Sequence, residues 1–126
     1  MAQFWSRLAR LAALEFGRNA EDVAARSLRK SGYKILERNF SCREGEIDIV
    51  ATQDGCLVFC EVKARRTVSY GSALEAITPA KVRKIKKAAE VYIAKNGLQE
   101  RDCRFDVVTI DENGSVMKLE IIPNAF

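Results

Sequence analysis

The stretch GEIDIVATQDGCLVFCEVKAR, residues 45–65, constrains the fold more than any other part of the chain. Ile47, Ile49 and Val50 precede Asp54-Gly55, and Leu57, Val58, Phe59 and Val62 follow it. Two β-branched and aromatic runs around an Asp-Gly pair predict an antiparallel hairpin. Runs this apolar belong in the centre of a sheet. Asp48, Glu61 and Lys63 stand inside them, where a charge without a partner is costly.

The remaining chain supplies layers around this hairpin. Residues 18–31 read as a helix with Ala20, Val23, Ala24 and Leu28 turned inward and Gly32 as its stop. YKILERNF (33–40) reads as a first strand, SCREG as a turn, residues 46–52 and 57–64 as the second and third strands. Thr78-Pro79 is a helix start, an N-cap followed by proline at the first helical position. That helix runs to about Lys95, with Gly97 just beyond and Val82, Ile85, Ala89, Tyr92 and Ile93 as its apolar stripe. Residues 103–110 and 116–122 read as two more strands around the turn DENGS. The order is α-β-β-β-α-β-β. A helix between the third and fourth strands implies a crossover and a parallel pair, so the expected fold is α/β, a mixed five-stranded sheet flanked by helices.

A chain of 126 residues with 48% hydrophobic and 30% charged residues is one domain with a proper core. We read 1–126 as that single domain, with 1–16 as an N-terminal helical extension packing Phe4, Leu8 and Leu11. Arg7, Arg10 and Glu15 interrupt its apolar run, which excludes a membrane-spanning helix there, and no basic segment precedes it as in a signal peptide. The four cysteines form no metal-binding spacing. Cys56 and Cys60, four apart in one strand, lie roughly 13 Å apart and cannot be bridged. Reduced thiols in a cytoplasmic protein are the expectation. The chain contains no histidine, which removes Ser-His-Asp and Cys-His hydrolases and nucleases with a histidine base. Chemistry must rest on carboxylates, lysine, tyrosine or a bound metal.

Glu61 and Lys63 are two apart and share one face of their strand. A tight turn at Asp54-Gly55 brings Asp48 opposite Glu61. Two carboxylates that close raise each other's pKa, and a divalent cation relieves both. Mg²⁺ prefers oxygen ligands and needs only one or two carboxylates besides water. The other reading of the same residues is a salt bridge of Asp48, Glu61 and Lys63 on a solvated face. Leu57 and Phe59 share the face of Glu61 and make it partly apolar.

GEIDIVA followed by VFCEVKAR resembles the bacterial UPF0102 family of YraN-like proteins. The likeness extends to GRNAEDVAARSL, GYKILERNF, SYGSALEAITPAKVRKI, RFDVVTI and the terminal NAF, nearly all of residues 17–126. That family is similar to archaeal Holliday-junction resolvases and to the PD-(D/E)xK nucleases. The resemblance implies a restriction-endonuclease-like core. It implies catalytic roles for Glu21, Asp48, Glu61 and Lys63, with Asp48 and Glu61 holding Mg²⁺ or Mn²⁺. Ile47 stands where the superfamily motif has proline. Glu21 matches the acidic residue of the resolvases' first helix. On the residues alone it is equally a carboxylate favoured by the helix N-terminus.

Between Glu61 and Lys87 stand eight basic and two acidic residues, so positive charge is concentrated after the acidic site. Arg65, Arg66, Lys81 and Lys84 are the expected contacts to a nucleic-acid backbone. An ordinary solvated helix face is the other reading of the lysines. Tyr70 and Gly71 follow in a loop. The expected activity is a Mg²⁺-dependent, structure-selective DNA endonuclease acting on branched or structured DNA. The alternative is a non-catalytic nucleic-acid-binding protein of repair or recombination that keeps the fold. No membrane partner is expected, and a homodimer is implied by the resemblance only.

Overall fold

In the computed structural model, residues 20–66, 77–113 and 116–126 are described. The expected extension at 1–16 and the loop carrying Tyr70 and Gly71 lie outside them. Helix α1 covers residues 20–30. It is followed by β1 (Lys34–Cys42), β2 (Gly45–Gln53), β3 (Cys56–Arg65), α2 (Pro79–Asn96), β4 (Cys103–Asn113) and β5 (Val116–Ile122). The five strands form one sheet in the order β1-β2-β3-β4-β5. All neighbours are antiparallel except β3 and β4, which are parallel. This is the expected mixed sheet, and the parallel pair is the one joined through α2.

The β2–β3 hairpin closes as its sequence demands. Gln53 pairs with Cys56, and Asp54 and Gly55 between them have φ of 50° and 78°. Two successive positive φ values match the right-handed twist of the flanking strands, and Asp-Gly tolerates them best. β4 runs three residues further than expected, through Asp111, Glu112 and Asn113. β5 pairs with that extension, Asp111 against Lys118 and Glu112 against Met117. Polar residues continue the ladder there because a paired backbone outweighs their weak strand preference.

Among the described residues, each face of the sheet carries one helix and one core. Ala20, Ala24, Ala25 and Leu28 of α1 pack with Ile49, Ala51, Val58, Cys60, Val108 and Ile110. Ile85, Ala88, Ala89 and Tyr92 of α2 pack with Phe40, Ile47, Val50, Leu57 and Phe59. Ala88 joins the expected stripe of α2, while Val82 and Ile93 are only half-buried. Thr78 caps α2, accepting the Lys81 N–H on its hydroxyl at 3.1 Å. Gly45, at the start of β2, lies close against α2. A β-carbon there would lie 3.0 Å from the Lys84 carbonyl oxygen and 3.3 Å from the Lys84 Cβ.

A buried polar knot ties β4 to Tyr33, ahead of β1, and to the end of β2. Asp106 is fully buried on β4. It accepts hydrogen bonds from the Tyr33 hydroxyl at 2.7 Å, the Arg104 Nε at 3.0 Å and the Asn124 N–H at 2.9 Å. Arg104 also donates to the Gln53 side chain and the Tyr33 oxygen. Burial and the bond to Asp106 push the Tyr33 hydroxyl up to about 12. The four cysteines are free thiols. No described helix is long and apolar enough to cross a membrane.

Candidate active site

Asp48 sits where the side-chain alternation of β2 breaks. Ile47 belongs to the core under α2, but Ile49 belongs to the core under α1. Two residues apart in a regular strand would share a face. The partner strand is irregular as well: Asn39, which the register places opposite Asp48, has φ of 55°, and β1 shifts register between Ile35 and Glu37. Irregularities of this kind re-aim a side chain. Here the Asp48 carboxylate turns toward β3 and accepts the Val62 N–H at 2.8 Å. The β2–β3 ladder runs from Gln53–Cys56 to Ile49–Cys60 and stops there. The next rung would pair Asp48 with Glu61, as the tight turn at Asp54-Gly55 implies. A side chain replaces the backbone acceptor at that point, and the strands part around two acids.

Glu61 is only 7% exposed. Its carboxyl lies within hydrogen-bonding reach of Asp48. Burial, then the hydrogen bond and the negative charge of Asp48, push Glu61 up to about 8, and Lys81 opposes the rise. Near neutral pH the Glu61 carboxyl therefore keeps its proton. Lys81 Nζ, from the first turn of α2, stands 3.5 Å from Glu61 Oε2.

Asp48 also lines a cleft of about 250 Å³ together with Ala20, Glu21, Val62, Lys63 and Ala64. Glu21 is held by Arg38 of β1, whose Nε donates to it at 3.2 Å and whose Nη2 donates to Asp22 at 2.6 Å. Burial raises the pKa of Glu21, Arg38 opposes this, and the charge of Asp48 adds to it. Lys63 is half-buried. Of the four residues expected to be catalytic, Glu21, Asp48 and Lys63 line this cleft, and Glu61, next to Asp48, is not among its lining residues.

The donor set fits a hard divalent cation. The Asp48 and Glu61 carboxylates have oxygen to offer, and one Asp48 oxygen is already fixed in direction by Val62. Among the described residues no group of three or more His, Cys, Asp or Glu side chains forms a cage. Two carboxylates with water completing the shell is the ordinary Mg²⁺ pattern.

The expected backbone-binding residues are placed unequally. Lys84 and Arg66 are exposed. Arg65 is tied down by Asp111 of β4, its Nε 3.0 Å from the carboxylate and both side chains under 20% exposed. Lys81 is committed to Glu61. Arg38, and the Arg104–Asp106 pair, were not singled out from the sequence. Arg104 and Asp106 are opposite charges two apart in an apolar strand, the spacing that marks Glu61 and Lys63. Arg38 carries no such signal, because its partners lie on α1.

A profile described as "Uncharacterised protein family UPF0102" matches residues 20–110, well over half of the chain. This chain belongs to the UPF0102 family. It is 46% identical over 112 residues to a UPF0102 protein of Syntrophomonas wolfei, covering 89% of this chain and 97% of the relative. It is 48% identical over 113 residues to one of Pelobacter propionicus, covering 87% and 81%. With one of Trichlorobacter lovleyi the identity is 49% over 108 residues, covering 84% and 85%. The span matched by the UPF0102 profile includes Glu21, Arg38, Asp48, Glu61, Lys63, Lys81 and Asp106.

Proposed function

We propose that this UPF0102 protein is a metal-dependent, structure-selective endonuclease that hydrolyses phosphodiester bonds in branched or otherwise structured DNA. The observation that carries this reading is the parted rung at Asp48 and Glu61, where a half-buried and a buried carboxylate stand together at the end of the β2–β3 ladder. A buried acid is costly, and a fold that sets a second one against it, beside a lysine-lined cleft, has a use for the pair. Asp48 and Glu61 would hold Mg²⁺ or Mn²⁺, which supplies charge neutralisation at the phosphate and activation of water. Lys63 lines the cleft with Asp48 and would steady negative charge developing on the phosphate. Glu21, oriented by Arg38, offers an acceptor for water across the same cleft. Lys84 and Arg66 offer charge to the backbone. Shape and backbone recognition go with this set, because no described element resembles a base-reading helix.

A second reading is favoured by one contact. Lys81 beside Glu61 supplies a positive charge without any metal, as a non-catalytic nucleic-acid-binding protein would need. One experiment separates the two: cleavage of branched, flapped and linear DNA with Mg²⁺ or Mn²⁺, wild type against Glu61→Ala. The nuclease reading expects metal-dependent cleavage of branched DNA that Glu61→Ala abolishes while DNA binding persists in metal-free buffer. Binding without cleavage of any of these substrates supports the second reading and ends the first.

A further inference from the structure

Lys81 stands in an unfavourable place for a lysine. Thr78 is the N-cap of α2, so Lys81 is the third residue of the helix, and the first turn contains no acid. The positive end of a helix dipole disfavours a cation there, and the position after a threonine cap is where glutamate or glutamine closes a capping box. The contact that accounts for the lysine is Glu61, 3.5 Å away. The two partners are unequal. The Glu61 side chain is 8% exposed and fixed within the sheet, while that of Lys81 is 46% exposed on a flexible stem. The ammonium can leave without disturbing the core, and the carboxylate cannot follow it.

We infer that Lys81 is the counter-ion of Glu61 in the metal-free protein and competes with a divalent cation for that carboxylate. This deepens the metal-site reading and rests on it. Lys81 is then a positioning residue for Glu61 that sets how readily the site takes up metal. Its ammonium becomes available to a phosphate only once the cation has replaced it, which links metal uptake to backbone binding.

The test is calorimetric titration of Mn²⁺ into the metal-free full chain, with Lys81→Ala, Lys84→Ala, Glu61→Gln and the double variant Glu61→Gln/Lys81→Ala. Alanine keeps the backbone N–H that Thr78 accepts, so α2 keeps its cap. Lys81→Ala is expected to bind Mn²⁺ roughly two- to fivefold more tightly than wild type, the range of a part-exposed ion pair. Lys84→Ala removes the same charge one turn on and shifts affinity much less. The gain from Lys81→Ala narrows at high salt, where an exposed ammonium is screened, and is absent in the Glu61→Gln background. A merely structural lysine predicts the opposite sign, weaker binding on truncation. Mn²⁺ affinity equal in Lys81→Ala and Lys84→Ala, with wild type binding the metal, overturns this inference and leaves the metal site standing. No Mn²⁺ binding by wild type or any variant removes the metal site and the inference together.

Discussion

Asp48 does two jobs, and substitutions separate them. As an acceptor it completes the β2–β3 joint through the Val62 N–H. As a charge it raises Glu61. Asp48→Asn keeps an acceptor oxygen, and Asp48→Ala leaves the Val62 N–H without one. Urea unfolding should find Asp48→Ala about 1–2 kcal/mol less stable than Asp48→Asn, the cost of an unmet backbone donor, while both fail to bind metal. Glu61 gives a pH signature in metal-free buffer. Its folded pKa, about 8, lies above the ordinary 4.5. The folded state therefore holds the proton more tightly, and the stability this contributes is full below 4.5 and is lost as pH rises through 8. Thermal or urea unfolding should show wild type losing on the order of 3 kcal/mol between pH 5 and 8.5 relative to Glu61→Gln, discounting the full shift for coupling to Asp48 and Lys81. Parallel profiles for the two proteins would show that Glu61 ionises normally. Lys63→Arg keeps the charge but replaces a compact ammonium with a planar fork. Cleavage of branched DNA should fall by about 100-fold or more with binding retained, and unchanged cleavage would remove Lys63 from any positioning role.

The element that sets the site's geometry from outside the sheet is α2, and its approach depends on Gly45. The Lys84 carbonyl would stand 3.0 Å from a β-carbon at residue 45, and a helix carbonyl cannot swing aside as a side-chain end can. Gly45→Ala must push α2 off the β1–β2 turn, at a cost of about 1–3 kcal/mol for an overpacked contact. The same displacement carries Lys81 away from Glu61. Denaturant unfolding and the salt dependence of stability read the two effects: lower stability together with a weaker salt response than wild type is the expected result. Unaltered stability in Gly45→Ala would mean that α2 has room to spare. β3 and β4 illustrate another element-scale restraint. Arg65 and Asp111 pair across adjacent parallel strands, with little exposure on either side. Arg65 thus contributes to the sheet before it contributes to any surface.

Across the whole molecule, two buried acids in the sheet are treated differently. Glu61 stands with Asp48 in a parted rung. Asp106, on β4 opposite Cys60, has oxygens that collect Tyr33 from the α1–β1 joint, Arg104 from β4 and Asn124 from the C-terminal tail. Arg104 carries the link on to Gln53 at the end of β2. This acid is fully satisfied, so it serves the fold. Asp106→Ala strands Arg104 and the Tyr33 hydroxyl and should cost about 3–5 kcal/mol, the range for breaking a buried charged pair. A urea midpoint within error of wild type would contradict the knot's role. The basic surface carries the complementary prediction. Lys84→Ala should weaken DNA binding and lower the slope of log affinity against log salt by about one unit, for the one phosphate it no longer neutralises. An unchanged slope would make α2's outer face an ordinary solvated one.

The number and order of strands, the Asp54-Gly55 hairpin, the Thr78 cap and the stripe of α2 were legible in the chain, because each rests on local chemistry: side-chain period, turn conformation and orphan helix N–H groups. The register that sets Asp48 one rung beyond the Ile49–Cys60 pair was legible too, since a two-residue turn fixes the register of its hairpin. The resemblance named the same acids together with Glu21 and Lys63. Tertiary structure alone decided what those acids meet. The break in alternation at Asp48 depends on two cores competing for Ile47 and Ile49, and no single-strand pattern contains that competition. Arg38 against Glu21, Lys81 against Glu61 and Arg65 against Asp111 join residues 17 to 46 positions apart. Sequence periodicity assigns a face to each of these side chains. Only the packing of α1, α2 and β4 against the central hairpin brings the faces together and turns charges that look solvent-facing into partners.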